Sequence, residues 1–196
     1  TGSPARPATP WAMPGSLSTD DAMALVAAFD GDRLTAALLS EYGRLGPLAF
    51  LTTRVAPLVE RVGNDWAAGR LEIRHEHFLS ERLGDLMRSL RLPLDHQAQG
   101  PVVICATLPA ENHVLGLQMA ALLFASAGLR VVFLGANVPP VELARLAAEL
   151  PAAWVALSVS VAADPSATSR HIRRLRQLMP SHAGLIVGGK GAPAPR

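Results

Sequence analysis

The chain has 196 residues, 49% of them hydrophobic and 17% charged, too apolar and too weakly charged for a disordered tail, so it must fold. Eighteen cations against sixteen carboxylates leave a formal charge of +2, which gives no polycationic footprint for nucleic acid. At about 100 to 200 residues per domain the length allows one domain or two small ones.

Residues 1–17, TGSPARPATPWAMPGSL, hold four prolines and two glycines without periodicity and read as a tail or linker, with Trp11 either docking on the body or decorating the tail. From Ser18 the pattern changes. Ser18, Thr19 and Asp20 offer N-caps to DDAMALVAAF, and Gly31 is expected to end that helix before DRLTAALLSEYGRL begins another. Gly46 and Pro47 open a third segment with Leu51, Val55, Leu58 and Val62 at helical spacing, which Pro57 should kink or split. Gly69 is its expected stop. LEIRHEHFLSERLGDLMRSLRL then resumes with Ile73, Phe78, Leu83, Leu86 and Leu90 as its inner stripe. Residues 18–92 are therefore expected to be an α-helical four-helix bundle acting as a cap, with residues 93–100 as a linker.

Beyond the linker the pattern alternates: VVICATL, the helix HVLGLQMAALLFASAG, LRVVFLG, the helix PPVELARLAAEL, AWVALSVSV, the helix PSATSRHIRRLRQLM, and GLIVGG. Four strands alternating with three helices predict an α/β flavodoxin-like (Rossmann-type) parallel sheet over residues 101–196. A complete unit of that class has a fifth strand and a final helix, which these residues do not supply. Cys105, the single cysteine, sits inside VVICATL and reads as a buried, inert thiol, and it excludes an intrachain disulfide or a zinc cluster. Arg170, Arg173, Arg174 and Arg176 fall on one outer helix and read as a solvated face.

No run approaches the roughly 18 apolar residues of a membrane helix, and no basic, then apolar leader opens the chain. A cytoplasmic location with no membrane association is the expectation. The start at Thr1 rather than Met suggests a fragment or a trimmed chain.

Ligands of open parallel sheets sit beyond the carboxyl ends of the strands, at the switch point. After the first expected strand come Glu111, His113 and Gly116; after the third, Ser158 and Ser160; after the fourth, Gly188 and Gly189. A histidine there can ligate a metal through one ring nitrogen while a carboxylate fixes the other. This E-x-H-x-x-G, with serine after the third strand and Gly-Gly after the fourth, resembles the cobalamin-binding domain of corrinoid methyltransferase proteins, mutases and light-sensing regulators. The resemblance implies that His113 is the lower cobalt ligand and that Glu111 tunes it. It also implies that Ser158, Ser160, Gly116, Gly188 and Gly189 contribute to cofactor binding, with Ser158 and the glycine pair lining a channel for the nucleotide tail.

In the helical half, Trp66 is followed after nine residues by Glu76 and His77. Trp66 is expected to end one helix and the Glu-His pair to lie in the first turns of the next. This spacing ahead of a cobalamin domain looks like adenosylcobalamin photoreceptors of the CarH/LitR type. The resemblance implies a light sensor without catalysis of its own, with adenosylcobalamin held between bundle and α/β domain. Trp66 and Glu76 would then pack on the adenosyl group in the dark, and His77 would take the upper cobalt position after light breaks the cobalt–carbon bond. Many members carry a second histidine where Phe78 stands here. A homo-oligomer in the dark and an output domain or partner protein are further implications. With no helix-turn-helix segment, DNA binding by this chain alone is not expected.

Two alternatives stand beside that reading. A photocobilin-type sensor would also bind a bilin such as biliverdin, held without a thioether because the helical half has no cysteine. A corrinoid methyl-carrier protein would need His113 but not the Trp66, Glu76 and His77 set. A zincin is disfavoured, because His75-Glu76 lacks the second histidine and His75 and His77 project about 200° apart on a helix.

Overall fold

A computed structural model describes residues 16–194; the expectations for Trp11 and the rest of the first fifteen residues lie outside them. The chain divides into two compact units, one ending at Glu76 and one beginning at His77.

The first unit opens with α1 (Thr19–Ala27), whose Ser18 hydroxyl accepts from the Asp21 N–H, with Asp20 and Asp21 facing the helix dipole in the first turn. The next helix, α2 (Gly31–Leu45), is capped by Asp30, whose carboxylate accepts from the Arg33 N–H. Gly31 therefore opens α2 rather than ending α1. The reversal falls instead on Phe29, at φ +52°, whose ring stacks on His75 with centroids 4.7 Å apart. A third helical stretch runs as α3 (Pro47–Phe50), a π turn (Leu51–Val55) and α4 (Ala56–Ala67). The prolyl nitrogen of Pro57 cannot donate, and the π turn directly ahead of it is where the regular ladder breaks, as the sequence predicts.

Val26, Leu34, Leu38, Phe50, Val55, Leu58 and Val62 are almost fully buried and form the interior of this unit. Glu41 is buried among them. Its carboxylate accepts from Arg44 at 2.6 Å, Arg54 at 2.5 Å and the Leu17 N–H at 3.3 Å. The Arg44 hydrogen bond, helped by Arg54 and outweighing burial, lowers its pKa to about 2.

Helix α5 (Ile73–Gln97) crosses the boundary between the units. A helical region followed by a parallel sheet is the expected architecture; the residues of α5 from His77 onward fall in the second unit. The inner stripe is partly displaced: Leu83 and Leu86 are buried as expected and are joined by Leu79 and Met87, while Ile73 is 53% exposed. Helix continues through Pro93 to Gln97, so most of the expected 93–100 linker is helical.

In the second unit α5 is followed by β1 (Val102–Ala106), α6 (Leu115–Ser126), β2 (Arg130–Gly135), α7 (Pro140–Glu149), β3 (Trp154–Ser158), α8 (Pro165–Leu178) and β4 (Gly184–Gly188). The strands form one parallel sheet in the order β2-β1-β3-β4, the expected α/β arrangement, with the switch point between β1 and β3. Every β1 side chain is buried, as parallel strands covered on both faces require. Ile104 packs with Val155, Leu157, Leu143 and Leu175 on the α7 and α8 face. Cys105 lies opposite, with Val103, Leu117, Ala121 and Ala156.

Burial pushes the Cys105 thiol up to about 12, so it is inert at neutral pH, as the sequence predicts. On the same face α5 comes close to α6 at Gly84, where a Cβ would stand 3.1 Å from the Gln118 Oε1. The Arg91 guanidinium lies 5.3 Å from the Phe133 ring centroid and pairs with Asp95. The four arginines of α8 are exposed, and no ion pair forms at Arg173, Arg174 or Arg176 among the described residues. No helix among those residues is long and apolar enough to cross a membrane.

Candidate functional site at the carboxyl ends of the strands

The parallel strands deliver the loops after β1, β2, β3 and β4 to one edge of the sheet, and the loops after β1 and β3 diverge from the switch point. Glu111 links them. It is 4% exposed. Its Oε1 accepts from the His113 N–H at 2.9 Å and lies 2.7 Å from His113 Nδ1; its Oε2 accepts from the Ser160 N–H at 2.9 Å. Burial alone would raise the Glu111 pKa. The hydrogen bonds from His113 and Ser160 outweigh it and hold the carboxyl below the usual range, so it is ionised at neutral pH.

An ionised carboxylate only accepts, so Nδ1 carries the proton, and Nε2 is the ring nitrogen left to offer a lone pair to a metal. That nitrogen has no hydrogen-bond partner among the described residues, and the side chain is 64% exposed. Ser160 Oγ completes the group 3.2 Å from Nδ1.

Other predicted residues take distinct places. A Cβ at Gly116, on the first turn of α6, would stand 3.1 Å from Ser158 Oγ, so these two are neighbours. Ser158 is in register with Gly188, where an added Cβ would meet nothing within 4 Å. Gly189 has φ +102°, and its Cβ would lie 2.2 Å from the Val159 carbonyl oxygen. Its role here is to let two backbones touch.

Three residues were not singled out by the sequence reading. Thr107, fully buried, donates from Oγ1 to the Glu111 carbonyl at 2.5 Å and accepts from the Asn137 N–H at 3.1 Å. The Asn137 side chain accepts from the Ala110 N–H at 2.7 Å. Gly191 donates its N–H to the Val159 carbonyl at 3.1 Å. The available signals were a hydroxyl at the end of an apolar strand and an asparagine, tolerant of left-handed backbone, just after Gly135.

In the helical unit Trp66 ends α4, 48% exposed, and Glu76 lies half-buried in the first turn of α5, directly before exposed His77. This is the expected placement along the helices. The intervening turn is tied by Asp65, whose carbonyl accepts from the Arg70 and Leu71 N–H groups and whose carboxylate accepts from Arg61 and Arg70. His75 is buried, and its Nδ1 lies 3.3 Å from the Glu72 N. It is a structural residue at the helix start.

The donor set fits a metal group that brings most of its own ligands. No three His, Cys, Asp or Glu side chains among the described residues could together hold an ion. A metal bound at His113 must therefore bring most of its own coordination sphere, as cobalt in a corrin macrocycle does. The His113 imidazole, its Nδ1 side backed by the buried Glu111 carboxylate, would hold such a group through one further bond.

Comparison with known proteins agrees. Residues 101–194 match the B12 binding domain. Over 172 residues, 87% of this chain, the sequence is 32% identical to the HTH-type transcriptional repressor CarH of Myxococcus xanthus. The chain spans 56% of the length of that relative. The monomethylamine corrinoid protein of Methanosarcina barkeri shares the fold, with a TM-score of 0.68 at 15% identity over 88% of this chain and 84% of that one. Residues 101–194 thus match a B12-binding domain, and the similarity to CarH extends beyond them over the preceding helices.

Proposed function

We propose that the chain is a cobalamin-dependent light sensor with no catalysis of its own, adenosylcobalamin being its cofactor. The carrying observation for the cofactor is the Glu111, His113 and Ser160 group, which leaves a single oriented imidazole nitrogen at the switch point. When bound, adenosylcobalamin supplies a cobalt–carbon bond that visible light breaks. Glu111 holds the His113 ring in the tautomer that offers Nε2 to the metal. Ser158 and the open space at Gly188 receive the nucleotide tail.

Light sensing, as opposed to methyl carriage, rests on Trp66, Glu76 and His77 within a CarH-like sequence. Trp66 offers an exposed aromatic face for the upper axial group, Glu76 a hydrogen-bond acceptor, and His77 a replacement axial imidazole. The output is a change of oligomeric state or partner affinity, with a homo-oligomer in the dark. A bilin such as biliverdin bound beside cobalamin is a variant of the same reading, visible as an additional absorption band.

The test is absorption spectroscopy with size-exclusion chromatography on the adenosylcobalamin-loaded chain, in the dark and after green light. A photoproduct spectrum unlike that of free cofactor illuminated in the same buffer, with a changed elution volume, is expected. A loaded chain whose product matches the free cofactor and whose elution does not change would refute the sensor and favour methyl carriage.

A further inference from the structure

The loop that bears Glu111 and His113 is held at residues the cofactor reading does not use. Ala110 adopts φ +67°, an uncommon conformation for a residue with a Cβ, and Asn137 on the neighbouring loop adopts φ +61°. The two are joined: Asn137 Oδ1 accepts from the Ala110 N–H at 2.7 Å, and Asn137 Nδ2 donates to Asn112 Oδ1. Thr107 binds the same loop from beneath. Its hydroxyl spends its proton on the Glu111 carbonyl and accepts the Asn137 N–H, and its own carbonyl accepts from the Val138 N–H at 3.0 Å.

Backbone or side-chain groups of residues 110, 111 and 112 are thus fixed to two residues, Thr107 and Asn137. Glu111 and His113 hang from this frame. A free loop would lose entropy on ordering when the metal group binds, whereas a preformed one has lost it during folding.

We infer that Asn137 and Thr107 form a clamp that positions His113 for its metal group, Asn137 by gripping Ala110 and Asn112 and Thr107 by gripping Glu111. Both act through other residues and are positioning residues. The inference rests on the proposed cobalamin site.

The test uses the full chain. Asn137→Gly keeps access to the left-handed backbone and removes only the side-chain bonds. In the unloaded protein, exchange of the Ala110 amide hydrogen should accelerate. In a cobalamin titration at a temperature where circular dichroism shows both proteins folded, affinity should fall about tenfold, with less of the bound cofactor in the histidine-ligated spectral form.

Thr107→Ser keeps the hydroxyl and should match the wild type, while Thr107→Val should behave like Asn137→Gly. This pair decides the matter if Asn137→Gly fails to fold. A folded Asn137→Gly chain, or a Thr107→Val chain, with wild-type affinity and spectrum overturns the clamp. Failure of the wild type itself to bind cobalamin overturns the cofactor reading and the clamp's purpose with it, whatever Ala110 exchange shows.

Discussion

Replacing Glu111 with glutamine removes the charge and one of two acceptor atoms while keeping the side chain's volume. The carboxylate accepts from the Ser160 N–H on Oε2 and from two His113 nitrogens on Oε1. A glutamine oxygen can satisfy one of those sets; its NH2 group must then face the donors of the other. Hydrogen bonds to a charged acceptor contribute about 1.5–3 kcal/mol each, and removing the charge recovers part of the burial cost. A net loss of about 1–2 kcal/mol in the unloaded protein at neutral pH follows.

The loss is pH-dependent with a definite sign. The Glu111 carboxyl is held below its usual range, so its stabilising contribution is present above the unfolded carboxylate value of about 4.3 and disappears as pH falls through the folded value. Cobalamin affinity should fall about 10- to 100-fold, because the ring loses the partner that fixes its tautomer. Urea unfolding at a series of pH values, paired with spectroscopic cobalamin titration, reads both effects. Equal stability and equal affinity of Glu111→Gln and wild type at pH 7 would refute the reasoning, as would a stability gap that widens in acid.

Glu41, lowered to about 2 chiefly by Arg44, stabilises the fold above the unfolded value and loses that contribution as pH falls toward 2. After allowance for the half-exposed Arg44, Glu41→Gln should cost about 1–2 kcal/mol at pH 7 and much less near pH 2 by denaturant unfolding. Asp164 caps α8 by accepting from the Ser166 and Ala167 N–H groups, so Asp164→Ala should lower Tm. In the adenosylcobalamin-loaded chain, Trp66→Ala should alter the dark elution volume, and His77→Ala should respond to light but yield a product spectrum different from that of the wild type.

The α/β half was legible because buried parallel strands leave short apolar runs such as VVICATL and their crossover helices alternate with them. That order points to the loops at the switch point, and the structure brings three of the residues expected there, Glu111, His113 and Ser160, into one hydrogen-bonded group. Features that depend on distant partners were not legible. Asn137 lies thirty positions from Thr107, and nothing local announces their bond.

A linker is expected to begin at Pro93, yet helix α5 continues through it. Arg91, lying against Phe133, pairs with Asp95 across that turn, and tertiary packing outweighs the local preference. Phe29 illustrates the same limit: the left-handed turn falls on an aromatic residue stacked on His75, two residues before the glycine that would ordinarily claim it.

The most direct test of the account is electron paramagnetic resonance of the chain loaded with cob(II)alamin after selective labelling of its histidines with nitrogen-15. An axial nitrogen-14 splits the cobalt lines into triplets and an axial nitrogen-15 into doublets. Coordination by His113 predicts doublets in the labelled wild type, triplets in the unlabelled one, and loss of the doublets in His113→Ala. Triplets persisting in the labelled wild type would show that the cofactor keeps its own benzimidazole and would contradict the assignment of His113 as the lower ligand.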